Sequence, residues 1–308
     1  MIELLKDFSC QTYEGDNICI AIACSDEEKC GDKVNIAQIE AKDYLKVMTS
    51  GHDTLLVCNR DGFILRHEIV SGHKWEEESD NIYAPLCFAP LAYSSIGKDF
   101  VICLNRLGEI LIFKEGKLYV AYRRGKWCFF KHDEYIKEMT AGNAALEPLC
   151  SSIYLTMLDV SFSRSGGGIG LLSKDALDSV SLISRDDDLT IDNEIEKNQR
   201  DSSKRKDLLK KFFIRTMFGG RTFAEAPRKL RQELVAIDGS TIVLESGEVL
   251  CVGAILAVDG GSPDGGGRTA AAQTLARHGL GIKISNDGKI TAWRGITKKD
   301  TTSLFSVG

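Results

Sequence analysis

The chain has 308 residues, of which 43% are hydrophobic and 27% charged, and its formal net charge at pH 7 is −5. This acidic balance argues against broad nucleic-acid binding, which requires a cationic face to neutralise phosphates. The N-terminus has no secretory signal pattern, and no run approaches the ~18 apolar residues of a membrane span. We therefore expect a cytoplasmic protein without a membrane contact, long enough for two ordinary domains.

The ten cysteines raise the question of a metal site or a disulfide framework. Cys10, Cys19, Cys24 and Cys30 cluster near the start, but the sequence contains no C-x-x-C pair and no histidine at zinc-finger spacing from them. The other six have apolar neighbours, where a reduced thiol acts as a small hydrophobic side chain. The pattern favours reduced, structural cysteines.

Two similar stretches predict β-hairpins in the N-terminal half. Residues 53–65 read DTLLVCNRDGFIL, and residues 99–111 read DFVICLNRLGEIL. Each joins two short apolar runs across an Asn-Arg-x-Gly turn, with Gly where the backbone takes a positive φ. A third hairpin is predicted to turn at Glu115-Gly116. Residues 1–145 are thus expected to form a β-rich domain, an antiparallel meander with a twofold hairpin repeat.

A basic and aromatic cluster follows the third hairpin, at Arg123, Arg124, Lys126 and Trp127. One interpretation is a solvated strand end with a Trp that caps the sheet edge. The other is a contact with an anionic ligand or partner. Nothing in the sequence separates the two.

The pattern changes near residue 146. Residues 147–160 have apolar side chains at helical spacing, and Gly166 to Gly168 then precede a short apolar run typical of a buried strand. A helix, a Gly-rich turn and a buried strand indicate an α/β (α+β) domain over residues 146–308, with a mixed sheet flanked by helices. A charged insertion at about 185–211 is predicted to be a flexible loop or an exposed helix.

The stretch from Ile237 to Ile290 contains the candidate site. A helix over residues 227–237 leads into Asp238-Gly239-Ser240, and a hairpin of strands 241–245 and 248–257 follows. Residues 259–267, DGGSPDGGG, then form a Gly-rich loop before a helix that begins at Arg268. Glycines let backbone N–H groups approach a ligand, and the helix N-terminus with Arg268 favours an anion. The Asn286-Asp287-Gly288 turn closes the last hairpin.

These motifs resemble those of the diadenylate cyclase (DAC) domain of bacterial proteins. That family carries an Asp-Gly-Ala motif, a hairpin, then Gly-Thr-Arg-His-Arg-Ala-Ala opening a helix, and a strand that ends in Ser-Glu-Glu. Here the matching segments are 238–240, 266–272 and 285–287, and residues 167–172 resemble the family's Gly-Ala-Leu strand. The resemblance covers roughly residues 150–295.

The resemblance implies a DAC-like mixed sheet and a set of ligand-binding residues. These are Asp238, Gly239, Ser240, Gly266, Gly267, Arg268, Thr269 and Ser285. It also implies that Asp238 binds a metal ion, Mg²⁺ or Mn²⁺, together with a bound nucleotide, and that Asp238 is the catalytic residue if the protein is active.

Four departures from the family pattern bear on activity. Thr269 and Ala270 stand where the family has His and Arg, Asn286 replaces the first Glu of the third motif, and Asp287 is shorter than the second Glu. Phosphoryl transfer depends on positioned cations and metal ions, so these losses reduce turnover more than binding.

The sequence therefore favours a sensor that binds a nucleotide or cyclic dinucleotide without making one. An alternative is an active diadenylate cyclase that forms a cyclic dinucleotide from ATP, in a homodimer that brings two sites together. A second alternative is an interaction scaffold that binds no ligand.

Overall fold

The computed structural model describes residues 1–13, 16–27, 34–38, 48–70, 81–174, 176, 183, 187–189, 202–256, 266–297 and 300–308. Within them lie seven helices: α1 (Ile2–Ser9), α2 (Ala89–Ser94), α3 (His132–Thr140), α4 (Glu147–Ser163), α5 (Ser202–Phe218), α6 (Arg228–Val235) and α7 (Gly267–Ala276). Short 3-10 turns occupy Ile36–Gln38, Leu86–Phe88 and Ala144–Leu146. Of the helices in these ranges, none is long and apolar enough to cross a membrane.

The strands, in chain order, are β1 (Thr12–Tyr13), β2 (Asp16–Asn17), β3 (Ile20–Ser25), β4 (Thr54–Asn59), β5 (Ile64–Ile69), β6 (Phe100–Leu104), β7 (Ile110–Lys114), β8 (Lys117–Arg123), β9 (Lys126–Phe129), β10 (Gly167–Leu172), β11 (Ser240–Leu244), β12 (Val249–Ala254), β13 (Gly279–Ile284), β14 (Ile290–Gly295) and β15 (Thr301–Val307). They form two large mixed sheets and a small two-stranded one. The mixture of helices and mixed sheets confirms the predicted α/β (α+β) class. The chain divides into two compact units, residues 1–132 and 133–307, ahead of the boundary at residue 145 that the sequence suggested.

Unit 1, residues 1–132, contains the larger sheet, with strand order β5-β4-β3-β6-β7-β8-β9. The stretches 53–65 and 99–111 form the hairpins β4–β5 and β6–β7, and β7–β8 turns at Glu115-Gly116. The expectation of an antiparallel meander is wrong in one respect, because β3 lies between the two hairpins and pairs parallel with β4. β3 pairs on both sides, with β4 and with β6, and it is buried along its whole length.

Unit 2, residues 133–307, contains the sheet β12-β11-β10-β13-β14-β15. β10 is again fully buried and central, parallel to β11 and antiparallel to β13. α7 packs on this sheet, and α6 packs beside α4. The predicted charged insertion at 185–211 lies mostly outside the described residues, although α5 begins within it at Ser202.

The two units share one topology. Reading outward from β3 or β10, both sheets have a parallel neighbour that begins a hairpin on one side and an antiparallel meander on the other. The registers agree as well. Ile20 pairs with Leu104 and Gly167 with Ile284, and in both units the next strand begins six residues further on, at Ile110 and Ile290.

The irregularities of the sheets also recur. A register shift falls between Val57 and Cys58 in β4, and another at the corresponding step of β11, between Ile242 and Val243. The turns that follow contain Gly62 and Gly247, both with φ +86°, and both close with the same pair of backbone hydrogen bonds. Because β-bulges and positive-φ glycines are specific local features, their agreement indicates that unit 2 repeats the strand framework of unit 1.

Each unit also contains a buried arginine paired with a carboxylate. In unit 1, Arg123 Nε donates to Glu109 Oε1 at 2.8 Å, and Arg123 is only 2% exposed. This Arg is therefore part of the core, which corrects both sequence interpretations of the cluster at 123–127 for this residue. In unit 2, Arg228 donates to both carboxylate oxygens of Asp159, at 2.7 and 2.8 Å, and so joins α6 to α4.

We predict that Asp159→Leu lowers the free energy of unfolding by about 3–5 kcal/mol, because it leaves the buried Arg228 charge without its carboxylate. The measurement is urea unfolding of the full chain. Adding Arg228→Leu should recover much of the loss. The control is Glu233→Ala, which removes the exposed Lys229–Glu233 pair and should cost less than about 0.5 kcal/mol. A loss below about 1 kcal/mol in the single Asp159 variant would show that the pair does not stabilise unit 2.

The described cysteines are free thiols, and most are buried. Burial raises the pKa of Cys58 and Cys251 to about 12 and that of Cys150 to about 11. Cys10 and Cys87 are exposed, which departs from the buried environment expected for Cys87.

These pKa values predict selective alkylation. At pH 8, a thiol of pKa about 12 is roughly 10⁻⁴ ionised, and the thiolate is the reactive form. Iodoacetamide should label Cys10 and Cys87 in the native protein and spare Cys58, Cys150 and Cys251, as peptide mapping by mass spectrometry would record. Labelling in urea serves as the control for accessibility. Equal labelling of Cys58 and Cys87 in the native protein would contradict the packing of β4.

Candidate anion-binding site

Three separate segments of unit 2 meet at one edge of its sheet. Arg268, in the first turn of α7, donates from Nη1 to Asn286 Oδ1 at 2.6 Å. Its other terminal nitrogen, Nη2, lies 3.7 Å from Asp238 Oδ1. The three motifs singled out in the sequence therefore converge in space, although 48 residues separate the first from the last.

The topology explains this convergence. β10 and β11 run parallel, so the residues before both strands lie at the same edge of the sheet. β13 runs antiparallel to β10, so the turn after Ile284 returns to that edge. α7 leads directly into β13, and its N-terminus therefore also lies there. These directions bring together Asp238 before β11, Arg268 at the start of α7 and Asn286 after β13.

The backbone of Gly166 lies directly against the Arg268–Asn286 pair. Its φ is +70°, and a Cβ built on it would overlap Asn286 Oδ1 and lie 2.7 Å from Arg268 Nη1. The backbone at this position is thus in direct contact with the pair, and only glycine leaves room for it. Sequence reading placed Gly166 before a buried strand but did not assign it to the site.

Lys283 is a second cation that sequence reading missed. It lies on β13, partly buried, and its Nζ donates to Thr269 Oγ1 at 2.8 Å. Neighbouring residues of the helix's first turn, Arg268 and Thr269, are thus each held by a residue from the β13–β14 hairpin. The available signal was a lysine in the otherwise apolar strand GLGIKI.

The start of α7 adds a weaker positive contribution. Gly266 is the N-cap residue and makes no side-chain cap bond, and Gly266 and Gly267 are both exposed. The N–H groups of Thr269 and Ala270 donate to Gly266 O. A helix N-terminus carries a partial positive charge, which here adds to the full charge of Arg268.

The other predicted ligand residues differ in accessibility. The Asp238 side chain is 97% exposed, whereas the Arg268 side chain is 35% exposed. Gly239 and Ser285 are half-buried, and Ser240 is buried at the start of β11. The Gly-rich loop predicted over 259–267 lies outside the described residues except for its last two glycines.

Unit 1 shows which of these features belong to the framework and which belong to the site. Asp53 stands nine residues before Gly62, as Asp238 stands nine before Gly247, but Asp53 Oδ1 accepts a hydrogen bond from Ser50 Oγ within its own turn. An aspartate at this position is therefore compatible with a purely structural role.

Lys283, in contrast, has no cation at its position in unit 1. By register, Cys103 of β6 occupies the position of Lys283, since Cys103 pairs with Ala21 and Lys283 with Gly168. The turn after β6 begins Asn105-Arg106, and Asn17 Nδ2 donates to Arg106 O at 2.6 Å. A segment that precedes β3 thus contacts this turn in unit 1. The Lys283 cation is therefore not a by-product of the shared strand framework.

No family model and no curated protein matches the chain. Among solved structures, it is similar to a structural-genomics crystal structure of a hypothetical membrane spanning protein from Bacillus cereus. The TM-score is 0.29 and the sequence identity 14%, over 53% of this chain and 71% of that chain. A likeness of this size carries no argument about function.

We predict that Gly166→Ala lowers the melting temperature and separates Arg268 from Asn286, because the new Cβ occupies the space of Asn286 Oδ1 and the positive φ disfavours alanine. The expected cost is at least about 1 kcal/mol. Gly220→Ala is the matched control, since Gly220 also has a positive φ, +79°, and a Cβ there meets nothing within 4 Å. Differential scanning calorimetry of both variants measures the effect. Equal melting temperatures would mean that Gly166 does not contact the pair.

Proposed function

We propose that unit 2 is a DAC-like sensor domain that binds a nucleotide or a cyclic dinucleotide and does not catalyse its formation. The observation that carries this proposal is the meeting of Asp238, Arg268 and Asn286 at one sheet edge. These residues stand at the three positions where the sequence resembles the DAC motifs.

The charges support a phosphate as the recognised group. Arg268 offers a planar guanidinium whose orientation is fixed by Asn286, and a fixed guanidinium suits bidentate contact with phosphate oxygens. Lys283 adds a second positive charge near Thr269. The exposed Gly266 and Gly267 leave the approach to the helix N-terminus open, which suits an anionic group.

The same residues support binding rather than turnover. Thr269 and Ala270 supply neither the His nor the Arg of the family pattern, and Ala270 is buried. Removing one group that stabilises transition-state charge commonly reduces the catalytic rate by about 10²–10³-fold. Two such losses leave a site able to hold a nucleotide but poorly equipped to transfer its phosphoryl group.

We predict that Arg268→Ala abolishes nucleotide binding. With wild-type protein, one or more of ATP, GTP, cyclic di-AMP and cyclic di-GMP should raise the melting temperature. At a ligand concentration 100 times Kd, binding adds about 2.7 kcal/mol to the free energy of unfolding. Arg221→Ala makes the same charge change at an exposed position at the end of α5 and should keep the full shift.

Three outcomes would contradict the proposal. A shift that survives Arg268→Ala would place binding elsewhere, and the lack of a shift with any of these ligands would favour the scaffold alternative. Robust formation of a cyclic dinucleotide from ATP with Mn²⁺, lost in Asp238→Asn, would establish the active cyclase instead.

A further inference from the structure

The donor atoms around Asp238 do not suit a divalent metal. Mg²⁺ requires near-octahedral coordination by hard oxygen ligands, usually with one or two carboxylates and bound phosphates. The partner closest to the Asp238 carboxylate in the structure is a cation, Arg268 Nη2 at 3.7 Å. A guanidinium at that distance repels a metal ion bound to the same carboxylate.

Two side-chain oxygens of the Asn286-Asp287 turn already accept hydrogen bonds within the protein. Asn286 Oδ1 accepts a hydrogen bond from Arg268, and Asp287 Oδ1 accepts one from the backbone N–H of Lys289. Ser240 is buried. In the part of the chain that the structure describes, no group of three or more His, Cys, Asp or Glu side chains is arranged to hold a metal. The expectation that Asp238 binds Mg²⁺ or Mn²⁺ therefore does not fit the residues present.

An alternative role for Asp238 follows from its exposure. The carboxylate lies at the surface, 97% exposed, and forms an ion pair with Arg268. Arg268 is fixed by a second bond to neutral Asn286, and the exposed Asp238 carboxylate is the ion-pair partner of its other terminal nitrogen. An anionic ligand can displace Asp238 from Arg268 while the bond to Asn286 keeps the guanidinium in place.

We infer that the site binds its anionic ligand without a divalent metal, and that Asp238 is a counter-ion which the ligand replaces on Arg268. This inference rests on the proposed function, since it concerns the same nucleotide site. It reverses the role that the family resemblance implies for Asp238: the carboxylate competes with the ligand for Arg268 and does not bridge to it through a metal.

The two roles predict opposite effects of Asp238→Asn. If Asp238 is a competing counter-ion, removal of its charge leaves affinity unchanged or raises it up to about fivefold, the range expected for an exposed ion pair. If Asp238 binds an essential metal, the same change weakens binding by tenfold or more. The substitution lies at an exposed position, and the melting temperature of the unliganded variant reports whether it folds.

The experiment is isothermal titration calorimetry of the full chain with cyclic di-AMP and, separately, ATP, each in 1 mM EDTA and in 5 mM Mg²⁺ or Mn²⁺. We expect the affinity for at least one probe in EDTA to lie within about threefold of the affinity with metal, and Asp238→Asn to bind at least as tightly as wild type. The EDTA arm also removes any metal held by Asp259 or Asp264, which lie outside the described residues.

The failures are distinguishable. Binding that requires metal, or that weakens tenfold in Asp238→Asn, overturns the metal-free inference and leaves the proposed nucleotide site intact. No binding of either probe, with or without metal, overturns both. Tight binding in EDTA that Arg268→Ala does not change also overturns the inference, because the ligand would not then replace Asp238 on Arg268.

Discussion

The position of β10 between a parallel and an antiparallel neighbour determines where the candidate site lies. With β11 parallel, the residue before each of these strands falls at the same sheet edge, and with β13 antiparallel, the β13–β14 turn returns to it. A different register would turn the β13 side chains to the opposite face of the sheet and separate Lys283 from α7. The contacts among Asp238, Arg268 and Asn286 are thus a consequence of strand order and direction, which place the three residues at the same end of the sheet.

The recurrence of this framework in unit 1 separates folding requirements from site chemistry. The positive-φ glycines Gly62 and Gly247, the register shift before each of them and the buried central strand recur in the two units, which indicates that the fold requires them. The strand register puts Cys103 of unit 1 at the position that Lys283 occupies in unit 2. The aspartate recurs as Asp53, which makes it the least informative of the site residues. Lys283, rather than the acidic group, distinguishes the site of unit 2.

Local sequence patterns predicted much of this structure. The Asn-Arg-x-Gly turns gave two hairpins, and the Gly-rich stretch before a helix correctly located the start of α7. The parallel pairing of β3 with β4 could not be predicted from the sequence, because it joins strands separated by a long connection. Local sequence patterns do not show which strand pairs on each side of β3. The shared topology of the two units was also hidden, since β3 reads IAIACS where β10 reads GGIGLL.

Within the site, the sequence indicated Asp238 and Arg268 through motif spacing but not Gly166 or Lys283. Gly166 acts through a missing side chain, so its contact with Arg268 exists only once the chain has folded. Lys283 looked like an ordinary strand residue, because its partner Thr269 is on a different element. The burial of Arg123 was missed because its sequence neighbours are misleading. Its neighbours Arg124 and Lys126 suggested a solvated cluster, while its carboxylate partner, Glu109, is on another strand.

The glycines of β10 provide an independent physical reason to regard unit 2 as the specialised copy. A glycine in a strand interior costs roughly 0.5–1 kcal/mol relative to alanine. Unit 1 avoids this cost in β3, whereas β10 has glycine at 167, 168 and 170. A Cβ on Gly167 would lie 2.5 Å from Val235 O, and one on Gly170 would lie 2.9 Å from Leu275 Cδ2. The glycines therefore let α6 and α7 approach the central strand closely. Because successive strand residues face opposite sides of the sheet, α6 contacts one face at Gly167 and α7 the other at Gly170. Asp238, which follows α6, and Arg268, at the start of α7, meet at the end of the strands. In unit 2 the glycines make the central strand intrinsically less stable, but they allow α6 and α7 to pack closely against it. Unit 1 has the same strand framework without these glycines.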